Sequence, residues 1–445
     1  MTARGTIDKV AASPPPDGQG AEYGAHKWYL LGLLAMINLM GAVDRGVISV
    51  ITEPLKVDFH LSDKQIGLLS GIAYSGTFAL AVLPMGWLVD RVNRRALMSV
   101  TVTIWSVLTA ACGASMNFAA MFVARMGVGA SEAPVTPGSL SLIADAFPMR
   151  QRNTAIGLFL AGAGVGTLLQ FLVGAWVVTH FGWRTVFLVA GGPGLLLAVL
   201  LYFTTREPAR GIFDAERRDG HTARQKGPGT IDALRSILGN SVLCLAIPAI
   251  TITTGVSYSL IMWTTSFLVR VHGMSISEGA VWTGLGFGLC MTVGSLLAGP
   301  VADRVSKGDP CKLALVPAAA TLIAAVAGTV LTMADALPEM LAGMGVLGLM
   351  TGFYIGPGYA IVLSFAVPNE RGITMATTKL FSNFLGISVI TFMTGAISDA
   401  VGGADSIRPA LLSNVAMLLV STFCFVTIHR ILGKRSKASG FVPVA

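Results

Sequence analysis

The stretch GWLVDRVNRR, residues 86–95, places one acid and three arginines directly after a run of apolar residues. A second stretch, GPVADRVSKGD at residues 299–309, repeats the Asp-Arg pair in the same setting. Asp303 follows Asp90 by 213 positions, close to half of the 445-residue chain. A repeat of that length predicts two halves of similar structure.

The composition indicates what surrounds these halves. Hydrophobic residues make up 53% of the chain and charged residues only 12%, with a mean hydropathy of +0.70. Soluble domains carry about 25% charged residues, so we predict an all-α integral membrane protein. Spans of about 20 mostly apolar residues are predicted at residues 28–52, 65–89, 96–113, 118–144, 153–179, 184–203, 241–269, 278–302, 311–333, 338–366, 372–398 and 409–431.

These twelve spans divide the chain into two six-helix halves, residues 28–203 and 241–431. Residues 1–27, polar and rich in Pro and Gly without an apolar core, predict a disordered tail rather than a signal peptide. The charged segment 204–240 is predicted to be an unstructured linker, and residues 432–445 a short C-terminal tail.

The distribution of Lys and Arg predicts the orientation. If both termini are cytoplasmic, 23 of the 31 basic residues lie on the inner side, five on the outer side and three inside spans. Inner loops of membrane proteins carry such an excess, so we predict that both termini are cytoplasmic. The net charge of +8 is then mainly a topology signal, and no nucleic-acid partner is predicted.

Two acids, Asp44 and Glu132, lie well inside predicted spans, and a carboxylate in a membrane is a functional candidate by default. At about 1.5 Å per residue, Asp44 lies about 24 Å from the inner end of its span and Arg125 about 10 Å from the outer end of the fourth. These depths match, while Glu132 lies lower on the same face of its helix as Arg125. We predict one polar column of Asp44, Arg125 and Glu132, with a static, stabilising ion pair as the alternative.

Other polar residues in the spans are candidates for substrate binding. Arg45 is offset by about 100° from Asp44, and its predicted direction is toward Asn38, with its role undecided. Lys379 either binds an acidic head group or extends to the inner interface, with Asn383 one turn further on. Tyr258 and Tyr354 provide hydroxyls on the seventh and tenth spans. The C-terminal half is otherwise poor in charge. A cavity with a mostly apolar wall of this kind suits an amphipathic ligand better than a sugar.

GWLVDRVNRRAL resembles the Gly-x-x-x-Asp-Arg-x-x-Arg-Arg loop signature of the major facilitator superfamily, and RMGVGASEAP (125–134) resembles its helix-four motif. The resemblance to bacterial members of the Spinster family rests on DRGVISVITEPLKVDFHLSDKQIGLLSGIAYS, NRRALMSVTVTIWSVLTA, SLIADAFP and FGWRTVFLVAGGPGLLLAVLLYFTTREP, which cover nearly the whole N-terminal half. It implies the major facilitator fold, a substrate site near the midplane between the halves, and helices one and four lining the central cavity.

The same resemblance gives the charged loops a gating role, in which contacts form and break between two states. The alternative is a charge cluster that only sets topology. Asp90 is expected to meet a helix N-terminus while the arginines hold helix-end carbonyls or acids. The predicted gating residues are Asp90, Arg91, Arg94, Arg95, Asp145, Asp303 and Arg304.

Three functions remain open. The first is a secondary transporter, proton-coupled through Asp44, Glu132 and Arg125, that moves an amphipathic lysophospholipid or sphingoid compound, as the resemblance implies. The second is a proton-coupled carrier of sugar-acid anions, and the third is a membrane receptor that does not transport. We predict no enzymatic activity, no cofactor and no metal. We expect a monomer whose partners are membrane lipids, protons and a small amphipathic or anionic substrate, and the resemblance implies a bacterial inner membrane. Asp44 is expected to carry the proton, remaining ionised beside Arg125 and taking up a proton when the pair separates.

Overall fold

The computed structural model describes residues 26–210, 230–307, 309–367 and 370–439. They form twelve membrane crossings, numbered α1–α12. Their bounds are His26–Phe59, Asp63–Val89, Arg94–Ala114, Phe118–Glu132 with Val135–Ala146, Met149–Phe181, Trp183–Thr204, Ser241–His272, Ile276–Ser306, Pro310–Met333, Leu337–Phe365, Arg371–Val401 and Ile407–Ser439. Among the described residues, all of them except α4 are long and apolar enough to cross a membrane as one helical segment, although α9 and α10 each contain a one-residue turn, at Ala314 and Tyr354. The predicted all-α membrane architecture is confirmed.

The fourth crossing differs from its prediction, because α4 is two helices rather than one continuous span. The break falls at Ala133 and Pro134. Proline has no backbone N–H, and its ring clashes with the carbonyl four residues earlier, so the helical hydrogen bonds are interrupted there. Both residues keep right-handed helical torsions, with φ −54° and ψ −37° at Ala133 and φ −76° and ψ −11° at Pro134. The two segments therefore continue as one crossing.

The linker and the C-terminal tail also differ from prediction. A helix at Thr230–Gly239 lies inside the segment predicted to be unstructured. Apolar residues recur there at helical spacing, and Ile237 is buried in the apolar cluster of the C-terminal half. Helix α12 extends to Ser439, past the predicted end of its span at residue 431. Residues 1–25, 211–229 and 440–445 of the predicted tails and linker lie outside the described residues.

The internal repeat extends beyond the loop motif. Helix α2 begins with a capping box of Ser62 and Gln65, and α8 begins with a capping box of Ser275 and Glu278, again 213 positions later. In such a box each side chain accepts a hydrogen bond from the backbone of the other residue, which fixes the start of the helix. Both helices then contain a π-helical segment, at residues 68–76 in α2 and 284–289 in α8.

The apolar core differs between the two ends of the bundle. We name the end at which α1 begins the terminal face and the opposite end the distal face. Near the terminal face each half has its own buried cluster, one including Leu34 and Trp105 and the other Leu243 and Phe425. Toward the distal face a single cluster runs through both halves and includes Phe187 and Trp263. The halves are therefore packed together at the distal end.

Candidate functional site

Asp44 of α1 and Arg125 of α4 meet inside the N-terminal half, as their predicted depths require. Their side chains are 1% and 0% exposed, and Arg125 Nη1 lies 3.4 Å from Asp44 Oδ2. The Thr109 hydroxyl of α3 donates to Asp44 Oδ1 at 3.0 Å. Arg125 Nε and Nη2 have no hydrogen-bond partner among the described residues. Burial of two charges is costly unless both are fully hydrogen-bonded. This loosely bonded pair therefore adds little net stability to the fold.

Glu132 pairs with Arg45 rather than with Arg125, while it also interacts electrostatically with Asp44 and Arg125. Arg45 Nη1 forms an ion pair with Glu132 Oε1, whereas the Asn38 amide, the predicted neighbour of Arg45, donates to the Phe159 carbonyl at 2.9 Å. A buried carboxylate requires a cation, and the long Arg45 side chain supplies it. Close approach is possible because position 41 is glycine: a Cβ there would lie 2.6 Å from Glu132 Oε1.

The two ion pairs differ in how far their side chains are exposed. The Arg45 side chain is 28% exposed, while Glu132 is 3% exposed and the Asp44–Arg125 pair is closed off. A guanidinium that is partly free can bind a carboxylate or phosphate through two parallel hydrogen bonds. Arg45 is therefore the charged group of this site best placed to bind an anion.

Tyr74 of α2 was not identified from the sequence. Its hydroxyl donates to Glu132 Oε2, and its ring lies 4.8 Å from the Arg125 guanidinium carbon. The residue is 3% exposed. The depth argument applied to Asp44 would have placed Tyr74 about 14 Å from the outer end of its span, between the depths of Arg125 and Glu132. A single hydroxyl in an apolar span carries no charge, however, so the sequence offered no reason to apply it.

The predicted residues of the C-terminal half approach this centre mainly through α7. The Tyr258 hydroxyl donates to the Arg45 carbonyl at 3.2 Å, a contact between the halves. One turn earlier on the same face of α7, Thr254 shares a hydrogen bond of 2.9 Å with the Tyr354 hydroxyl. Tyr258 and Tyr354 thus lie along one wall.

Lys379 and Asn383 lie on α11. The Lys379 ammonium is 5.2 Å from the centre of the Tyr359 ring, a cation–π contact, and the Asn383 amide donates to the Lys379 carbonyl at 2.8 Å. The Lys379 side chain is exposed and Asn383 half-buried. Neither contact distinguishes between the two predicted roles of Lys379.

The predicted gating residues of the N-terminal half cluster at the terminal face. Arg94 is buried and pairs with Asp145 and with Glu207, whose Oε1 accepts from Arg94 Nε at 2.9 Å. Arg95 donates to the Thr205 carbonyl. The Arg91 guanidinium stacks 3.9 Å from the centre of the Trp87 ring. Arginines therefore hold helix ends and acids, as predicted, and Glu207 is an additional partner.

In this structure the two Asp-Arg motifs do not make the contacts that a gating role predicts. The Asp90 carboxylate is exposed and makes no hydrogen bond or ion pair within the described ranges, so it does not meet a helix N-terminus here. Arg210 instead caps the end of α2 by donating to the carbonyls of Val89, Asp90 and Val92. Asp303 and Arg304 are also exposed, and their side chains have no such partner in the part of the chain that the structure describes.

At the distal face, ion pairs connect the two halves. Arg270 of α7 donates to both Asp63 oxygens at 2.7 and 2.8 Å and pairs with Glu53 at 2.7 Å. Lys56 and the Ser398 hydroxyl also bind Asp63. The side chain of Asp399 accepts from the backbone N–H groups of Asp63 and Lys64. We name Glu53, Lys56, Asp63, Arg270, Ser398 and Asp399 the distal cluster.

The helices behind the distal cluster are in backbone contact. A Cβ at Gly67 would lie 2.9 Å from the Phe392 Cα, and one at Gly71 would lie 2.5 Å from the Ser388 carbonyl oxygen. Only glycine permits α2 and α11 to approach this closely. Together with the shared apolar cluster, these contacts close the distal face.

Twelve crossings in two repeated halves, with a polar centre at mid-depth, define a membrane transporter of the major facilitator type. Residues 33–391 match the model of the Major Facilitator Superfamily, and the chain belongs to that family. It is an integral membrane protein, and both fold and relatives are those of transporters rather than enzymes.

The relatives confirm the Spinster resemblance and add others. The chain is 26% identical to an MFS-type efflux pump of Mycolicibacterium smegmatis, covering 89% of this chain and 91% of the relative. It is 25% identical to a probable galactarate/D-glucarate transporter of Bacillus subtilis over 97% of this chain and 98% of the relative. Protein spinster homolog 1 of Xenopus tropicalis is 25% identical over 89% and 78%, respectively.

A solved structure shows the same architecture. It is a bacterial homologue of the human lysosomal transporter Spinster in an inward-facing, unoccupied conformation, 26% identical to this chain. The two superpose with a TM-score of 0.84, covering 95% of this chain and 100% of that one. The occupied, inward-facing form of such a homologue gives a TM-score of 0.79 with coverage of 91% and 97%.

Proposed function

We propose that the protein is a proton-coupled secondary transporter that moves an amphipathic, lipid-like molecule of the lysophospholipid or sphingoid type by alternating access. The observation that carries this proposal is the partly exposed Arg45, paired with buried Glu132 beside the Asp44–Arg125 pair. Arg45 binds an anionic group of the head, such as a phosphate, and this group replaces Glu132 as its partner. Glu132 and Asp44 are then the groups that exchange protons with the aqueous phase.

The proposed orientation places the terminal face in the cytoplasm of a bacterium, because the basic residues concentrate there. The closed distal face then corresponds to an inward-facing state, the state of the similar Spinster structure. We further propose that the protein acts as a monomer.

The composition of the C-terminal wall supports a lipid tail. The Tyr354 hydroxyl is bonded to Thr254, and the Asn383 amide nitrogen is bonded to the Lys379 carbonyl, so each has a partner without a ligand. The apolar residues near Asn383 in α11, namely Phe381, Phe384 and Leu385, are exposed. A sugar acid needs several free donors and acceptors for its hydroxyls, since unpaired polar groups cost binding energy.

The second candidate is a proton-coupled carrier of sugar-acid anions. It is favoured by the similarity to probable galactarate/D-glucarate transporters, including the one of Bacillus subtilis. Arg45 would serve a carboxylate as well as a phosphate, so the charged centre does not distinguish the two substrates.

Purified protein in liposomes, with and without a pH gradient, separates the candidates. We expect uptake of a 16-carbon lysophosphatidylethanolamine, driven by the gradient and accompanied by proton movement reported by an internal pH-sensitive dye. Shortening the chain by four carbons should weaken binding by about two orders of magnitude, at about 0.8 kcal/mol per methylene. Gradient-driven uptake of glucarate without lysolipid uptake would establish the second candidate instead.

A further inference from the structure

Tyr74 contacts one member of each buried ion pair. Its hydroxyl donates to Glu132, the partner of Arg45, and its ring face lies against Arg125, the partner of Asp44. The hydrogen bond to a carboxylate is charge-assisted, so it is strong only while Glu132 is ionised. The orientation of the Tyr74 ring, and with it the contact to Arg125, therefore depends on the charge of Glu132.

Tyr74 also lies on the element that joins the halves. It belongs to the π-helical segment 68–76 of α2, which packs against the π-helical segment 382–389 of α11. Gly71, three residues before Tyr74, is the point of backbone contact with Ser388. Single π-helical turns often occur at functional sites, because the wider turn changes which residues share a face. One short segment thus connects the charged centre to the contact between the halves.

We propose that Tyr74 is a positioning residue that links the protonation of Glu132 both to the Asp44–Arg125 pair and to the α2–α11 contact. With Glu132 ionised, the hydroxyl bond holds the ring on Arg125 and holds segment 68–76 in its closed position. When Glu132 takes a proton from the aqueous phase, the acceptor loses its charge and the ring is released. Tyr74 keeps its own hydroxyl proton throughout.

Release of the ring affects the second pair because Arg125 has few partners. Its Nε and Nη2 atoms make no hydrogen bond to a described residue, so Tyr74 is an appreciable part of its environment. Arg125 then moves relative to Asp44, which becomes able to take up a proton in turn. The charged and titratable groups that interact with Glu132 or Tyr74 in this centre are Asp44 and Arg45 of α1, Arg125 of α4 and Tyr258 of α7.

This inference rests on the proposed function for its protons but not on the identity of the substrate, so its test contains no substrate. Hydrogen–deuterium exchange of the full-length protein in lipid nanodiscs would be measured on peptides covering residues 62–76 and 382–399, from about pH 5 to about pH 8. The variants are Tyr74→Phe, which keeps the ring and removes the hydroxyl, Glu132→Gln, and the double variant. Tyr29→Phe is the matched control, because it removes one tyrosine hydrogen bond, to Thr204, away from the charged centre.

Intrinsic amide exchange is base-catalysed, so the rates are first corrected for the intrinsic rate at each pH. In the parent and in Tyr29→Phe, the corrected exchange of these peptides should be faster at low pH, by about threefold or more. In Tyr74→Phe the dependence on pH should be lost, and Glu132→Gln should lose it too. Adding Tyr74→Phe to Glu132→Gln should change nothing further, because the bond is then already neutral. Parental pH dependence in Tyr74→Phe, or a full effect of Tyr74→Phe in the Glu132→Gln background, would overturn the proposal. Because no substrate is present, failure of lysolipid transport would leave this result standing.

Discussion

In the N-terminal half, the buried carboxylates of Asp44 and Glu132 are each paired with an arginine of the same half. The interior of the C-terminal half holds neutral polar groups instead. There the Asn414 amide donates to the Ser259 and Thr394 hydroxyls at 3.0 and 2.9 Å. Every Asp and Glu of that half lies near a helix end or in a connection. Both halves have six crossings and share the repeated α2 and α8 elements, so the fold itself does not require buried charge.

The difference indicates separate tasks for the halves. A buried ion pair contributes little net stability compared with well-packed apolar residues, whereas a closed network of hydroxyls and an amide has no charge to desolvate. The charged half is therefore expected to respond to protons and to an anion. The neutral half is expected to provide a stable wall that meets the charged centre through Tyr258.

The largest expected effect is that of Asp44→Asn, which makes this site permanently neutral. Gradient-driven transport of the lysolipid should fall by about a hundredfold or more, while exchange without a gradient is retained, because the substitution mimics the protonated acid. The measurement is proton flux and lysolipid flux in the same liposomes. Asp58→Asn is the control: it is the same substitution on the same helix, at an exposed carboxylate that pairs with Arg184. An Asp44→Asn protein that couples the two fluxes at the parental ratio would leave Asp44 as a structural partner of Arg125.

The positions of the spans and of the buried charges could be predicted from the sequence better than the partners of those charges. Hydropathy placed the spans well, for example 184–203 against Trp183–Thr204 and 311–333 against Pro310–Met333. Depth along a helix follows from residue number alone, and it brought Asp44 to Arg125. The partner of Arg45 depends on how α1 and α4 are rotated about their axes, which packing decides and residue numbers do not.

The distal cluster was not predicted from the sequence, for a different reason. Asp63, Arg270 and Asp399 lie at helix ends, where charged residues are ordinary and most are solvated. Their meeting depends on contacts between residues more than 200 positions apart. The break at Pro134, in contrast, has a sequence signal, because proline within a predicted helix interrupts its hydrogen bonds.

The next largest effect concerns the distal cluster, where charge joins the halves. Asp63→Asn weakens the bonds to Arg270 and Lys56 but keeps the size of the side chain. We expect the closed distal face to lose about 2 kcal/mol, a shift of about 30-fold toward the open state. Exchange of backbone amides in residues 62–71 should accelerate accordingly. Asp335→Asn, at an exposed carboxylate 3.7 Å from Arg408, should not change it; equal exchange in both variants would show that apolar packing alone closes this face.

A smaller effect on transport is expected from the neutral half. Asn414→Leu leaves Ser259 and Thr394 without their shared amide, so the protein should lose about 1–3 kcal/mol of stability. Thermal unfolding in detergent reports this loss. The ratio of protons to lysolipid should stay at the parental value in the folded fraction. A changed ratio would mean that the C-terminal half takes part in coupling, and the division between the halves would fail.

The smallest effect concerns the repeated Asp-Arg motifs, where the halves are most alike. The Asp90 and Asp303 carboxylates are both exposed and make no hydrogen bond or ion pair with any described residue, so Asp90→Ala and Asp303→Ala should leave the stability of this closed-distal state unchanged. If the loops engage when the terminal face closes, each variant removes a contact of the opposite state and slows transport, by about threefold for an exposed pair. Asp90→Ala should be the slower of the two, because its loop adjoins Arg94 and Asp145, which already form an ordered cluster. The rate of lysolipid exchange, normalised to protein folded in the membrane, is the measurement. Parental rates in both variants would make the motifs topology signals only, and an equal slowing would show that the two halves close the terminal face symmetrically.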